Sequence, residues 1–280
     1  MIRLFTKLDE FKKHLSVVND QTKVDEILKI DFPFFENQEK YTMINIPCYS
    51  EENPHNLLFL SKDYTFVYSS YNYNNYEKIF KKIIKKPYGE STAIIFLTLK
   101  HVLKNYAHEF EKIRVEIGSL DLNPVLDDIE RSGRALRRLT DRMEELVQLI
   151  IVIKEEDIRE FDTALIPFEH EILTTEARYW LERCRSHMYR IASLRTKSEI
   201  NSNRELNDIM KRLTVIITFL TIVSIVVSVP GSIGAIFGIP ALSDAYFRPH
   251  TTLLVFSLMI ATALSVILGY LYWRSLKLTK

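Results

Sequence analysis

The chain has 280 residues, 37 of them basic and 36 acidic, with a formal net charge of +1, a balance that gives no argument for nucleic acid as a partner. Two cysteines, Cys48 and Cys184, are too few and too far apart for a disulfide framework or a zinc knuckle and read as two ordinary thiols. The 47% hydrophobic content looks like that of a soluble protein. That average conceals two uncharged runs, Leu213 to Ile239 and Thr251 to Trp273, each long enough to cross a bilayer core of about 30 Å at about 1.5 Å per residue.

In chain order, "MIRLFTKLDEFKKHL" is charged throughout and lacks an apolar central block, so no cleavable signal peptide is expected and the domain that follows is expected in the cytoplasm. Residues 1–90 alternate short strand-like and helical runs. "YTMINIPCY", "NLLFLSKD" and "YTFVYSS" read as strands of one sheet, separated by "SEENPH" and "KD" as turns. "LDEFKKHL", with Leu8, Phe11 and Leu15 on one face, reads as a helix against that sheet, giving a small α/β or α+β module.

The stretch "YTFVYSSYNYNNYEKIFKKIIKK" places five tyrosines, from Tyr64 to Tyr76, before Lys78, Lys81, Lys82, Lys85 and Lys86. Aromatics beside cations can stack bases and neutralise phosphates. Ile79, Phe80, Ile83 and Ile84 fall at helical spacing between the lysines, which favours a helix docked on the sheet with a solvated outer face.

From Ser91 the pattern changes to long helices. "STAIIFLTLKHVLKNYAHEFEKIRVEI" is expected to start with a Ser-Thr cap and to end near Gly118; a second helix is expected from Pro124, antiparallel to the first. Residues 91–170 form the helical part of the same cytoplasmic domain. A third helix follows Pro167, with Leu173, Ala177, Trp180, Cys184, Met188, Ile191 and Leu194 as a seam that Leu206, Ile209, Met210 and Leu213 resume. No proline or glycine interrupts Phe168 to Val229, and 62 helical residues would extend about 93 Å, joining a stalk over 171–212 to the first membrane span over 213–239. An apolar stripe of that length is naturally covered by neighbours in an oligomer.

Lys211 and Arg212 precede the first span and Arg274, Lys277 and Lys280 follow the second, while the connecting loop over 240–250 holds Arg248 against Asp244. The positive-inside bias therefore places both termini, including a basic tail over 274–280, in the cytoplasm and the loop outside, in a multi-pass protein of the cell membrane with a second span over 251–273.

Enzymatic motifs are scarce: the sequence has no Walker-type phosphate loop, dinucleotide fingerprint, nucleophile elbow or His-Glu-x-x-His, and no enzyme activity is expected. Glu169, His170 and Glu171 are adjacent and point in different directions on a helix, so they do not jointly hold an ion. Glu51, Glu52, Asp121, Asp127, Asp128, Glu155, Glu156 and Asp157 are carboxylates from which a regulatory divalent-ion site could be drawn at a subunit interface, without a choice among them. Neither span holds a carboxylate, histidine, lysine or arginine. The first carries Thr214, Thr218, Thr221, Ser224 and Ser228, with Ser232 beyond; Thr214, Thr218, Thr221 and Ser228 share three-, four- or seven-residue steps, which make one helix face weakly polar. Such hydroxyls either join helices in a dimer or line a wet path for ions in a ring of copies.

Two C-terminal spans, a mixed N-terminal domain and a long helix between them resemble the CorA family of magnesium transporters. "LNDIMKRLT", Leu206 to Thr214, resembles that family's Asn-x-x-Met-Lys-x-Leu-Thr segment, and "IFGIP", Ile236 to Pro240, its Ile-Tyr-Gly-Met-Asn filter. The resemblance implies an α+β cytoplasmic domain with a mixed sheet, a very long stalk helix and a two-helix membrane hairpin, assembled as a homopentamer around a central pore. It implies gradient-driven passage of a divalent cation, magnesium first, with cytoplasmic divalent ions closing the pore and no ATP or organic cofactor. Partners are then other copies, membrane lipid and the cation, with no nucleic acid. Asn207, Met210, Thr214, Thr221 and Ser228 are the implied pore-facing positions, Phe237, Gly238, Ile239 and Pro240 the implied ion entrance, and Asp244 an external cation attractor. Pro240 stands where the family has asparagine and offers a carbonyl but no carboxamide and no N–H. Counted without gaps from Thr214, the family's glycine falls near Gly231, whereas the motif match falls at Gly238. A non-conducting membrane-anchored structural or signalling homologue, and a cobalt, nickel or zinc transporter, are the alternatives. The crowding of Pro230 with Gly231, Gly234 and Gly238 is expected to loosen the outer end of the first span and turn carbonyls toward a water-filled mouth.

Overall fold

The computed structural model describes residues 1–18, 24–49, 55–121, 124–156, 158, 160–237 and 251–278. They form two compact units, Met1–Ser198 and Glu199–Lys280.

The first unit is built on a five-stranded sheet of order β1-β5-β4-β3-β2, with β1 at Ile2–Phe5, β2 at Phe34–Asn37, β3 at Thr42–Pro47, β4 at His55–Leu60 and β5 at Thr65–Tyr68. β1 runs parallel to β5 and every other pairing is antiparallel, so the sheet is mixed. Strands β3 to β5 are buried along their whole length, because their runs "TMINIP", "HNLLFL" and "TFVY" place apolar residues on both faces. Ile44, Ile46, Leu58, Leu60 and Val67 join the core shared with the long helices. Met43, Leu57, Phe59, Phe66 and Tyr68 face the other way, against Phe11 and Leu15 of α1 (Leu8–Val18) and Val24 of the single turn α2 (Val24–Ile27). A helix thus lies on one side of the sheet and a helical layer on the other.

That layer holds α5 (Gly89–Leu120), α6 (Leu126–Glu155) and the start of α7 (Pro167–Phe237). Ser132 lies against Glu116, and further along the pair Arg142 neighbours Tyr106, so α5 and α6 are antiparallel as expected. Gly133 meets Ile191 and Glu144 pairs with Arg185, making α6 and α7 antiparallel in turn. The seam of α7 is buried at Leu173, Ala177, Leu181, Cys184, Ile191 and Leu194, with Trp180 and Met188 half-covered at its edge.

Several local expectations are corrected. The Lys-rich stretch is two single turns, α3 (Tyr76–Ile79) and α4 (Lys81–Ile84), broken at Phe80; burial of the Phe80 ring against Phe96 wins over continuing the helix. Ser91 and Thr92 do not cap α5; they are buried inside it. The Ser91 hydroxyl lies 3.0 Å from Thr65 Oγ1, while Thr92 Oγ1 donates to the Tyr88 carbonyl and accepts from the Asp162 amide. The helix begins at Gly89 after Tyr88, whose φ of 58° is left-handed. A Cβ on residue 89 would stand 1.8 Å from the Ile83 carbonyl oxygen, so only glycine admits α4 so close to the start of α5. Gly118 does not end α5, and α6 begins at Leu126, two residues after Pro124.

In the second unit the rest of α7 pairs with α8 (Thr251–Leu278). Both helices are long and apolar enough to cross a membrane, by length and composition. α7 is helical through Pro230, Gly231 and Gly234 to Phe237, and among the described residues no glycine has a positive φ. The expected loosening is therefore absent up to Phe237. Proline costs one bond there, since residue 230 has no N–H for the Val226 carbonyl.

Candidate functional site

The face of α7 that meets α8 is fixed by a close approach: a Cβ on Gly269 would lie 2.7 Å from Ile222 Cγ2 and 3.7 Å from Val226 Cγ2. On α8 the residues one turn apart on this side are Ala261, Ser265 and Gly269, all covered at least in part, with Ser265 buried. Small residues at four-residue steps let two helix backbones come together without large side chains between them. On α7 the half-covered positions are Thr218, Ile222, Val226 and Ile233.

With about 100° of rotation per residue, these four lie within about 40° of one direction. By the same measure Met210, Thr214, Thr221, Ser228 and Ser232 lie about 80–120° from it, and Asn207 about 60°. All six are exposed within the single chain, Met210 at 61%. The structure thus separates the hydroxyls that spacing had grouped. Thr218 belongs to the α8-facing side, whereas Thr214, Thr221 and Ser228 form a stripe that nothing in the second unit covers among the described residues. Thr214 donates its proton to the Met210 carbonyl, Thr221 to that of Ile217 and Ser232 to that of Ser228, each at 2.8 Å. With the proton engaged on the helix, each oxygen presents lone pairs outward, a surface suited to water hydrogens or to a cation.

Phe237 is the last described residue of α7, and Gly238, Ile239, Pro240 and Asp244 lie outside the described residues. Among the described residues nothing approaches within 4 Å of where a Cβ would stand on Gly231 or Gly234, so both present bare backbone.

In the first unit, no group of three His, Cys, Asp or Glu residues that could hold a metal ion occurs among the described residues. Asp121 is paired with Arg190 and Asp128 with Arg131, while Asp127, Glu155 and Glu156 are exposed and dispersed; Glu51, Glu52 and Asp157 lie outside the described residues. His170 is buried between Phe161 and α6, close to the Ile150 backbone, with Nδ1 3.5 Å from Thr174 Oγ1. Burial, with the Lys154 charge nearby, lowers its pKa, so the ring is neutral. Cys48 and Cys184 are free and buried, and burial pushes their thiols up to about 11 and about 12, leaving both protonated and inert.

No family model and no curated protein matches the sequence. Solved structures do. The CorA magnesium transporter from Methanocaldococcus jannaschii is 14% identical with a TM-score of 0.53, over 95% of this chain and 88% of that one. The full-length CmaX protein is 10% identical with a TM-score of 0.63, over 99% and 88%. The ZntB cytoplasmic domain from Vibrio parahaemolyticus is 13% identical with a TM-score of 0.53, over 73% and 87%. The chain has a CorA-like fold. At these identities the likeness lies in architecture: mixed sheet, long helix and apolar helix pair, which is the fold class expected from the sequence. What sequence reasoning missed in the CorA-like hairpin is the small-residue side of α8, although Ala261, Ser265 and Gly269 stand four residues apart in a run otherwise dominated by Leu, Ile and Val.

Proposed function

We propose that the chain is a membrane channel or transporter for divalent cations, magnesium first, driven by the ion gradient and membrane potential without ATP or organic cofactor. The observation that carries this reading is the hydroxyl stripe of α7, turned away from α8 and uncovered, in a chain with a CorA-like fold. A helix that only anchors a domain needs no such face. Arranged around an axis as a homopentamer, five copies would bring Asn207, Met210, Thr214, Thr221 and Ser228 together as a pore, with α8 outside against lipid. Residues 1–170 and the stalk over 171–212 would lie in the cytoplasm, residues 213–239 and 251–273 would span the cell membrane, and 240–250 would face outward with Asp244 concentrating cations. A divalent ion held between cytoplasmic domains would close the pore.

Magnesium sheds water reluctantly, so an entrance must address its hydration shell. In this reading main-chain carbonyls at Phe237, Gly238 and Ile239 serve, because Pro240 has no carboxamide. The same proline favours a second reading, a homologue that keeps the fold and anchors or signals without conducting. Purified protein in liposomes carrying a magnesium-sensitive dye, under an inward gradient, separates the two. Flux from a folded oligomer supports conduction, its absence contradicts it, and a stable monomer or dimer in detergent removes the pore. Cobalt, nickel and zinc in the same assay set the ion order. Pro240→Asn is expected to strengthen selectivity for magnesium over sodium; unchanged selectivity would move the filter glycine to Gly231.

A further inference from the structure

The lysine-rich turns of the first unit are not absorbed by the transport reading, which rests on the second unit. They form one wall of a cleft of about 800 Å³, within the range of small-molecule sites. Lys81 and Lys82 stand on α4, and Lys100 and Lys104 face them from α5, one turn apart. The opposition is built in: Gly89 draws the Ile83 carbonyl onto the start of α5, and Phe80 packs edge-on against Phe96 at 5.9 Å between ring centroids. Among the described residues no carboxylate pairs with any of the four ammonium groups. Among the described residues the one acidic side chain lining the cleft is Glu169, against four lysines.

The floor is aromatic and apolar. Phe80, Phe96 and Leu97 are buried beneath it, Tyr71 lies 5.0 Å from the His101 ring, and Lys100 Nζ sits 5.9 Å from the Phe96 centroid. Ile79 and Ile172 line the opening although 64% and 46% exposed. A small inorganic anion would use the lysines and leave this floor wet. A ligand with a flat ring and several phosphates would use both, the ring on the floor and the phosphates among four point charges.

We propose that this cleft binds a nucleoside polyphosphate, with Lys81, Lys82, Lys100 and Lys104 holding the phosphates and the Tyr71–Phe80–Phe96 floor holding the base. His101 lines the same wall and is held neutral by burial and by Lys104, so it serves the ligand as a hydrogen-bonding group and adds no charge. The site lies wholly within the first unit and stands whether or not the chain conducts ions.

The test is calorimetric titration of the full-length protein in detergent, without divalent ions, with ATP, adenosine and inorganic tripolyphosphate in turn. ATP binding, with adenosine and tripolyphosphate each at least roughly tenfold weaker, is expected, because each lacks one half of the recognition. Lys100→Gln with Lys104→Gln should weaken ATP at least roughly tenfold while Lys62→Gln, on the β4–β5 turn, leaves it unchanged. Circular dichroism and elution volume confirm that the variants fold. No ATP binding, equal affinity for tripolyphosphate, or ATP binding indifferent to the double variant would each overturn the proposal.

Discussion

Leu58 in β4 and Leu268 in α8 are the same side chain in opposite circumstances: the first is fully buried, the second 64% exposed. The contrast extends to their surroundings. In the first unit the strands bury both faces, and the long helices bury their seams against each other and the sheet. In the second, Leu253, Phe256, Met259, Leu271 and most of the apolar residues of α7 beyond Leu206 face outward. Apolar side chains exposed in such density are not a water-facing surface. One unit carries its own hydrophobic interior; the other requires an apolar surrounding such as a bilayer.

The comparison breaks most easily at its two leucines. Leu58→Ala should destabilise the first unit by about 2–5 kcal/mol, through lost burial and the cavity left behind. Leu268→Ala should change it by less than about 0.5 kcal/mol, since that side chain touches little within the chain. Melting temperatures of the two variants in detergent check this, and equal shifts would mean that α8 is buried in a way the second unit does not show. A smaller effect is expected from Gly89→Ala. The new methyl meets the Ile83 backbone, which cannot swing aside, and overpacking of this kind costs about 1–3 kcal/mol. The cost should appear as a lower melting temperature together with weaker ATP binding.

A still smaller effect is expected from pH. Burial depresses the pKa of His55, His101 and His170 below the ordinary value of 6.5, so the unfolded chain takes up protons before the folded one does. Their contribution is fully present above pH 6.5 and is lost as pH falls below it. A denaturant midpoint for the first unit that drops between pH 7.5 and pH 5, less steeply in His170→Gln, is the expected result, and a midpoint that rises toward acid would reverse the sign of the argument.

Much of this architecture is legible in residues, and the gaps have physical causes. Strands β3 to β5 announce themselves as branched and aromatic runs between turns. β1 and β2 are four residues each, and β1 pairs in parallel with the distant β5, so no hairpin signal marks it. The lysine-rich stretch has helical spacing, yet a tertiary contact between Phe80 and Phe96 divides it. Ser91 and Thr92 have the chemistry of a cap, but burial against Thr65 and Asp162 makes them interior residues. Along α7 the hydroxyl period is visible in sequence. Which hydroxyls share the free side is not, because that depends on where Gly269 brings α8 into contact. The cationic cleft joins residues from positions 71 to 172 and has no linear signature.

The central claim is that the free stripe of α7, and not its α8-facing side, carries the cation. Magnesium flux into dye-loaded liposomes, compared among the parent chain, Thr221→Val with Ser228→Ala, and Thr218→Val, tests it most directly. The parent should conduct. The stripe variant should lose roughly tenfold, the scale of a lost hydrogen-bonding group or two, and Thr218→Val less than about twofold. A folded pentamer that passes no divalent ion, or a Thr218→Val loss equal to that of the stripe, would contradict the account.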